Sequence, residues 1–472
     1  MLRNFISDRL LEYLEFQPTQ GQEDLIRELG IFLAAEDSSE IMLVKGYAGT
    51  GKTTLVNSLV KTLISLKQKS VLLAPTGRAA KVLTAYSGHP AWTIHKKIYR
   101  QKSGKDGLGE FVLDRNLHKH TCFIVDEASM IGDRSPDTFF GSGDLLRDLV
   151  DYVEAGTRCR LVLVGDTAQL APVGLDMSPA LDRERLESYG YGIREIELTD
   201  VVRQAEDSGI LYNATSIRNL ISDGLEDYPR FSFDSFPDIS MISGEELLET
   251  ISSSYDSYGT SDTIVVTRSN KRANKFNAGI RNQILWREEQ LSSGDLLMVV
   301  KNNYFWKDEE KRIDFIANGD IIRVEKVLGT EEVHGHMFAN ILISLPDYQD
   351  VEMEVKVLLD VINLEAASLN YEQQKTLYLS VSEDYSGEVN KKKIAEKISS
   401  DPYYNALQVK FAYAVTCHKA QGGQWKSVFL DQGYFTEEML SIEYLRWLYT
   451  AFTRASEKLY LVNFAKQFTP RS

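Results

Sequence analysis

Short apolar runs alternate with longer stretches of helical spacing over the first 205 residues. The runs occupy residues 41–44, 70–73, 122–125 and 160–164, and each ends at a polar or glycine-rich turn. Runs of this length are typical of strands buried on both faces, which occur in parallel sheets covered by helices. The pattern therefore predicts an α/β domain over residues 1–205, with functional groups at the carboxyl ends of its strands.

A second strand–helix unit begins at residues 263–267 and continues into a predicted helix over residues 269–286. From residue 294 to about residue 384 the chain changes to short alternating strands, with a turn signal at Asn318-Gly319. We expect these strands to form a small β-barrel, inserted at about residues 294–404 of a second parallel-sheet domain that spans residues 206–472. Residues 411–416 predict a further strand, which runs into a polar turn ending at Gly423.

A shorter interruption falls inside the first domain. Residues 101–116 contain three glycines and mixed charges, and they predict a small hairpin insertion at about residues 98–118. The fold class predicted from these patterns is α/β, with two parallel-sheet domains, a hairpin insertion and a barrel insertion.

Composition narrows the class of protein. Of the 472 residues, 43% are hydrophobic and 26% are charged, as in soluble globular domains. The chain has neither an apolar run long enough to cross a bilayer nor a signal-peptide pattern, so we expect a cytoplasmic protein without membrane contact. The three cysteines lack metal-ligand spacing, which favours reduced thiols. A net charge of −15 argues against a protein that coats nucleic acid, although it leaves room for a local basic channel.

One segment between a predicted strand and a predicted helix fits the phosphate-binding pattern GxxxxGK[ST]. Its glycines allow backbone amides to approach a phosphate chain at a helix N-terminus. Lys52 supplies a charge for the β- and γ-phosphates, and the Thr53 hydroxyl is a ligand for Mg²⁺. The predicted nucleotide contacts in this phosphate loop are Gly46, Gly49, Thr50, Gly51, Lys52, Thr53 and Thr54. ATP and Mg²⁺ are the predicted cofactors.

Two other predicted strands end in groups that suit phosphate hydrolysis. Asp126 and Glu127 follow residues 122–125; Asp126 would hold Mg²⁺, and Glu127 would deprotonate the attacking water. Gln169 follows residues 160–164, and its amide would contact the γ-phosphate or the water without adding negative charge. An isolated Asp-Glu pair or Gly-Asp turn is common, so these assignments depend on the phosphate loop upstream.

The ordered set of motifs resembles that of superfamily 1 helicases, and most of all the RecD-like and Dda-like enzymes of the 5′-to-3′ branch. The segments that carry the resemblance are Pro18 to Gln22, the phosphate loop, residues 74–81, Thr93-Ile94-His95, residues 126–130, residues 165–170, Val202-Arg203-Gln204, residues 416–423 and residues 450–455. The resemblance covers nearly the whole chain. It implies two RecA-like domains with ATP in the cleft between them, a pin that splits duplex and an SH3-like barrel.

The resemblance also implies roles for residues that spacing alone cannot interpret. Gln22 would read the adenine. Arg203 and Arg454 would reach the γ-phosphate from the cleft walls as arginine fingers, so that contact by Arg454 requires closure of the two domains.

A single-strand channel is a further implication of the resemblance. Its lining residues would be Thr76, His95, Thr416 and His418, whose hydroxyls and ring nitrogens suit contacts to phosphates that do not read sequence. Phe111 of the hairpin would be a wedge residue. Residues 134–143 add length for which the resemblance offers no role.

The predicted function is that of a monomeric, ATP-dependent DNA helicase, which moves 5′ to 3′ on single-stranded DNA and opens duplex junctions. Its possible protein partners are those of DNA replication or repair. Two alternatives remain: an ATP-gated nucleic-acid-binding module that remodels a partner complex, and an RNA helicase of the same superfamily. Glu127, Arg203 and Arg454 favour a hydrolysing enzyme over a pure binding module, whereas the 2′-hydroxyl contacts that separate RNA from DNA leave no mark in the sequence.

Overall fold

Two parallel sheets organise the chain in the computed structural model. The structure describes residues 2–14, 16–36, 39–102, 110–132, 141–200, 207–233, 236–308, 313, 315–348, 350–388 and 390–469. Arg203, residues 103–109 at the tip of the predicted pin and residues 133–140 of the additional segment therefore lie outside the described residues.

The first sheet is built by the chain up to Leu198. The strands in this part are β1 (Glu40–Gly46), β2 (Lys69–Ala74), β3 (Ala91–Thr93), β4 (Tyr99–Lys102), β5 (Glu110–Leu113), β6 (Thr121–Val125), β7 (Arg160–Gly165) and β8 (Gly192–Leu198). The helices are α1 (Leu2–Glu12), α2 (Gln20–Ala34), α3 (Lys52–Ser65), α4 (Gly77–Ser87), α5 (Ile94–Ile98), α6 (Leu145–Glu154) and α7 (Arg183–Glu187). The parallel sheet has the order β3-β2-β6-β7-β1-β8, and β4 and β5 form the predicted antiparallel hairpin.

Alternate residues of one strand reach different cores, which explains the uninterrupted apolar runs. Ile41 and Leu43 belong to the core on one face of the first sheet, whereas Met42 and Val44 belong to the core on the other. A parallel sheet covered on both sides requires apolar residues at every position of its central strands. The sequence-based prediction of an α/β fold is confirmed.

The second sheet and the barrel share the rest of the chain. The strands are β9 (Ile239–Ile242), β10 (Thr263–Thr267), β11 (Leu296–Val299), β12 (Ile321–Val333), β13 (His336–Leu345), β14 (Val351–Leu358), β15 (Leu407–Phe411), β16 (Ala414–Thr416), β17 (Trp425–Asp431) and β18 (Ala455–Val462). The helices are α8 (Gly209–Ser222), α9 (Leu247–Tyr258), α10 (Asn270–Gln283), α11 (Tyr371–Glu383), α12 (Lys391–Ser399), α13 (Cys417–Ala420) and α14 (Ile442–Phe452). The second parallel sheet has the order β16-β10-β17-β18-β9, and β11 to β15 close the predicted barrel.

The prediction of one continuous strand over residues 411–416 is wrong. The chain leaves the barrel at Phe411 and enters the second sheet at Ala414. Between them the Tyr413 hydroxyl donates to Asp295 Oδ1 at 3.0 Å and accepts from the Leu296 amide at 3.1 Å. This anchor holds the crossing point, because a buried carboxylate needs bonded partners.

The barrel also contacts the first domain through α4. The Lys81 ammonium lies 2.9 Å from the buried Asp320 Oδ1 and 3.7 Å from the centre of the Tyr348 ring. A Cβ added at Gly77 would lie 2.6 Å from the Cβ of Ala317, so the backbone of α4 packs directly against the barrel. Among the helices that the structure describes, none has the length and apolar character needed to cross a membrane.

We expect Gly77→Ala to destabilise the protein by about 1–3 kcal/mol, because the new methyl group overlaps Ala317 and the barrel must move. Gly279→Ala is the matched control: Gly279 lies inside α10 with nothing within 4 Å of its added Cβ. That substitution should stabilise the helix by up to about 1 kcal/mol. Urea denaturation of both variants measures the difference, and equal stability of the two would contradict the close contact.

Candidate active site

The phosphate loop joins the end of β1 to the start of α3. Gly49 and Gly51 take left-handed backbone angles, with φ of 78° and 81°. Glycine adopts these angles without the steric cost that a side chain would add. The loop thereby brings Lys52 to the N-terminus of α3, where free backbone amides favour an anion.

Lys52 lies across its own loop and points its charge at a second segment. Its ammonium donates to the carbonyl oxygens of Gly46 at 2.7 Å and Tyr47 at 2.9 Å. The same nitrogen lies 3.7 Å from Asp166 Oδ2, a carboxylate that is 1% exposed. Thr53, the predicted Mg²⁺ ligand, is exposed at the start of the helix.

Gln22 is part of the support for the loop. Its side chain forms a capping box with Thr19 at the start of α2, and its Nε2 donates to the Thr50 carbonyl at 2.9 Å. The residue is fully buried. Recognition of adenine by Gln22 stays a prediction, since these contacts fix the amide against the backbone of the phosphate loop.

Two carboxylates follow β6. Asp126 accepts hydrogen bonds from the Tyr86 hydroxyl at 2.5 Å and from the Glu127 amide at 2.9 Å. Glu127 has a left-handed backbone with φ of 54°, an uncommon conformation for a residue with a side chain and one that clusters at functional sites. Burial raises the pKa of Glu127, Asp126 raises it further, and the charges of Arg454 and Lys52 oppose that rise. Glu127 therefore lies within the fields of cations from both domains.

Asp166 and Gln169 follow β7. The Asp166 Oδ1 accepts from the Ala168 amide at 3.0 Å. Gln169 is 6% exposed, and its Oε1 has no hydrogen-bond partner among the described residues. A buried amide oxygen without a partner is costly, so a polar ligand in the cleft would stabilise it.

Arg454 follows α14 of the second domain and is 3% exposed. Its guanidinium donates to the carbonyl oxygens of Thr450 at 3.0 Å and Gly423 at 3.1 Å, and to the Thr453 hydroxyl at 3.1 Å. These bonds fix the side chain in one position. The positive charge of Arg454 is consequently held beside the cleft, where it acts on Glu127.

Other residues near Arg454 join the two domains, and sequence reasoning missed them. The Thr450 hydroxyl accepts from the Leu170 amide at 2.8 Å, and Gln421 Nε2 donates to the Leu170 carbonyl at 2.9 Å. Arg446 donates to the Thr167 carbonyl, and Tyr449 contacts the phosphate loop. Helical spacing counted back from Arg454 would have found Thr450 and Arg446, four and eight residues earlier, but neither Tyr449 nor Gln421, which lies outside α14.

The predicted nucleic-acid contacts fall in two places. Thr76 caps α4, and its hydroxyl lies 3.3 Å from where a Cβ of Gly422 would be, so it adjoins the segment that begins at Thr416. Thr416 precedes α13 and His418 is exposed on it. His95 lies on α5, with its ring 5.7 Å from that of Tyr99, and burial lowers its pKa to about 4.

A phosphate loop and two parallel sheets that meet at one cleft define a P-loop NTPase with two RecA-like domains, a fold that implies nucleotide binding. A family model described as an AAA domain matches residues 17–225, and one described as a UvrD-like helicase C-terminal domain matches residues 411–462. These two matches cover the segments that carry the phosphate loop and Arg454, and they agree with the resemblance to superfamily 1B helicases that the motifs predicted.

Individual relatives agree with this placement. The ATP-dependent DNA helicase Dda of enterobacteria phage T4 is 26% identical over 320 residues, which are 65% of this chain and 67% of the phage protein. The ATP-dependent RecD2 DNA helicase of Deinococcus radiodurans is 30% identical over 197 residues, 42% of this chain but only 24% of that protein. A solved structure of Pif1 helicases at forked double-stranded DNA has a similar fold: TM-score 0.50 at 16% identity, over 97% of this chain and 95% of that one.

Proposed function

We propose that this chain is an ATP-dependent DNA helicase that moves 5′ to 3′ along single-stranded DNA and opens duplex. The observation that carries the proposal is that α14, which precedes Arg454, is bonded to the phosphate loop through Tyr449 and to Leu170 beside Gln169 through Thr450. The charges of Arg454 and Lys52 both lower the pKa of Glu127 against the effect of burial. A carboxylate base under the influence of a phosphate-loop cation and of a cation from the opposite domain suits hydrolysis that depends on domain closure. The names of the relatives, which are DNA helicases, support the choice of substrate.

The residues of the first domain fit ATP with Mg²⁺. Thr53 and Asp126 offer the oxygen ligands that Mg²⁺ prefers, and Mg²⁺ when bound supplies charge that neutralises phosphate oxygens. Lys52 would bind the β- and γ-phosphates in place of its loop carbonyls. Glu127 would take the proton from a water whose oxygen attacks the γ-phosphorus, as the bond to the β–γ bridging oxygen breaks.

Arg454 and Gln169 would complete the reaction. Arg454 would stabilise the charge that builds up on the γ-phosphate oxygens, and the partnerless Oε1 of Gln169 would accept a hydrogen bond from the attacking water. Arg203 is proposed as a second cation. Because Arg454 belongs to the second domain, loss of the γ-phosphate removes a reason for the domains to stay closed.

The hairpin and the barrel support the proposal that the duplex is split beside the channel. The Phe111 ring of β5 lies 5.1 Å from the Tyr304 ring, which stacks on Phe315 at 5.1 Å. Lys96 lies 5.1 Å from the centre of the same Phe315 ring. This series of aromatic contacts would hold the hairpin in place when the DNA strands separate against it.

Strand displacement from duplexes with a 5′ tail, a 3′ tail or no tail tests the function directly. We expect ATP-dependent displacement of DNA only from the 5′-tailed substrate. Displacement from the 3′-tailed duplex alone would overturn the polarity, preference for RNA would favour the RNA helicase, and ATPase activity indifferent to nucleic acid would exclude a translocase.

Two substitutions test the hydrolytic roles. Lys52→Ala should abolish both ATP binding and turnover, whereas Glu127→Gln should lose turnover by about 100-fold or more and still bind ATP. Because burial and Asp126 raise the pKa of Glu127, wild-type turnover should be present above that pKa and fall as the pH drops through it, at a higher pH than an ordinary carboxylate. Normal hydrolysis by Glu127→Gln, measured by phosphate release, would refute the base assignment.

Phe111→Ala tests the bracing of the hairpin. We expect the variant to keep DNA-stimulated ATPase activity but to displace several-fold less strand for each ATP hydrolysed, since its hairpin loses the contact to Tyr304. Tyr212→Ala is the control, because it removes a ring paired with Phe236 at 5.3 Å on the second domain. A Phe111→Ala variant that unwinds as efficiently as Tyr212→Ala would contradict the role.

A further inference from the structure

One hydroxyl from the second domain is bonded to the phosphate loop itself. Tyr449 of α14 is 1% exposed, and its hydroxyl accepts from the Ala48 amide at 2.7 Å. The same hydroxyl donates to Asp166 Oδ2 at 2.8 Å. Three segments that are far apart in sequence therefore meet at a single oxygen atom.

The direction of these bonds is fixed by chemistry. A backbone amide can only donate, and an ionised carboxylate can only accept, so the phenol must be protonated to satisfy both. Burial and the charge of Asp166 raise the pKa of Tyr449 well above its ordinary value, which keeps the proton in place. The hydroxyl thus has the one protonation state that joins the loop to Asp166.

Asp166 connects this bond to the phosphate-binding cation. Its Oδ2, which accepts from Tyr449, is also the oxygen that lies 3.7 Å from Lys52 Nζ. A shift of α14 relative to the first sheet would move the Tyr449 hydroxyl and change the partners available to Ala48 and Asp166. Arg454 follows five residues after Tyr449, so the same shift would carry the guanidinium.

We propose that Tyr449 is a positioning residue, whose hydroxyl sets the second domain, and with it Arg454, in register with the phosphate loop for hydrolysis. The proposal rests on ATP hydrolysis in this cleft but not on the use of that energy to unwind DNA. Tyr449 itself takes no part in bond making or breaking.

The neighbouring contact does not replace this role. Thr450 also crosses the cleft, but its partner is the amide of Leu170, beyond Gln169. Tyr449 differs because its partner amide belongs to the loop that binds phosphate. A shift of α14 relative to the first sheet would accordingly change the hydrogen bond between Tyr449 and the phosphate loop.

Tyr449→Phe removes the hydroxyl and keeps the ring, and Tyr444→Phe is a matched control. Tyr444 is 2% exposed on the same helix, and its hydroxyl accepts from Gln432 Nε2 at 3.0 Å, within the second domain. Both variants lose one buried hydroxyl from α14, but only the first loses a bond across the cleft. A purely structural effect should therefore appear in both.

We expect Tyr449→Phe to lower the kcat of ATP hydrolysis about tenfold while the KM for ATP changes less than about threefold, because ATP still binds the first domain. Tyr444→Phe should stay close to wild type. An unchanged kcat in Tyr449→Phe, or an equal loss in both variants, would overturn the proposal.

Hydrogen exchange of the α14 segment gives a readout independent of turnover. A non-hydrolysable ATP analogue with Mg²⁺ should protect this segment in wild type and in Tyr444→Phe, and protect it much less in Tyr449→Phe. Equal protection in all three would contradict the positioning role. If the wild-type protein binds the analogue but DNA does not stimulate its ATPase activity, the helicase function is refuted. The hydrogen-exchange comparison would still test the role of Tyr449.

Discussion

Several polar groups buried between the two sheets are paired across the cleft, and the placement of the second domain on the phosphate loop depends on that pairing. A buried donor or acceptor left without a partner costs about 1–3 kcal/mol, whereas a made bond contributes only about 0.5–1.5 kcal/mol net. The Leu170 amide and carbonyl, for example, are both satisfied by second-domain side chains. When the cleft opens, water can replace the partners in these bonds. The bonds therefore fix the geometry of the closed cleft but contribute little to the free energy of closing it.

The barrel is held in a different way. Asp295 is fully buried, yet it is bonded by Arg281 at 3.0 Å, Arg287 at 2.9 Å and the Tyr413 hydroxyl at 3.0 Å. Removing one partner of such a buried carboxylate is far more costly than exchanging a cleft bond for water. The barrel and the second sheet should therefore move together, while the cleft bonds change.

Helix α4 lies where these two kinds of contact meet. Thr76 at its N-terminus adjoins Gly422, in the turn between α13 and β17, and Lys81 one turn later binds Asp320 of the barrel. Any displacement of the second domain would then change the contacts of both Thr76 and Lys81. This arrangement would link changes at the ATP cleft to the proposed strand channel without a long chain of intermediates.

Local sequence patterns were sufficient to predict the sheets, the phosphate loop and the ordered motifs, because each of them consists of contiguous residues. The break at Phe411 to Ala414 was not predictable, since both halves are apolar and only the distant Asp295 decides where the chain turns. The role of Tyr449 was not predicted for the same reason, because its partners Ala48 and Asp166 are hundreds of residues away in the sequence. A tyrosine on an apolar helix is typical of a residue that packs in the core. Gln22 carries a capping signal that the sequence did contain, but its bond to Thr50 required the fold.

The acidic balance of the chain is compatible with a nucleic-acid channel because some of its cations are paired with neutral oxygens. Lys419 donates to the Asn318 side-chain oxygen at 2.8 Å, and Lys410 donates to the carbonyl oxygens of Val361 and Leu364. Burial lowers the pKa of each lysine to about 8, and the charge of Lys410 lowers that of Lys419 further. Amide oxygens hold these ammonium groups in place without cancelling their charge. Lys410, Lys419 and Thr416 line one small cavity, so this positive charge lies beside one of the predicted strand contacts in a chain whose net charge is −15.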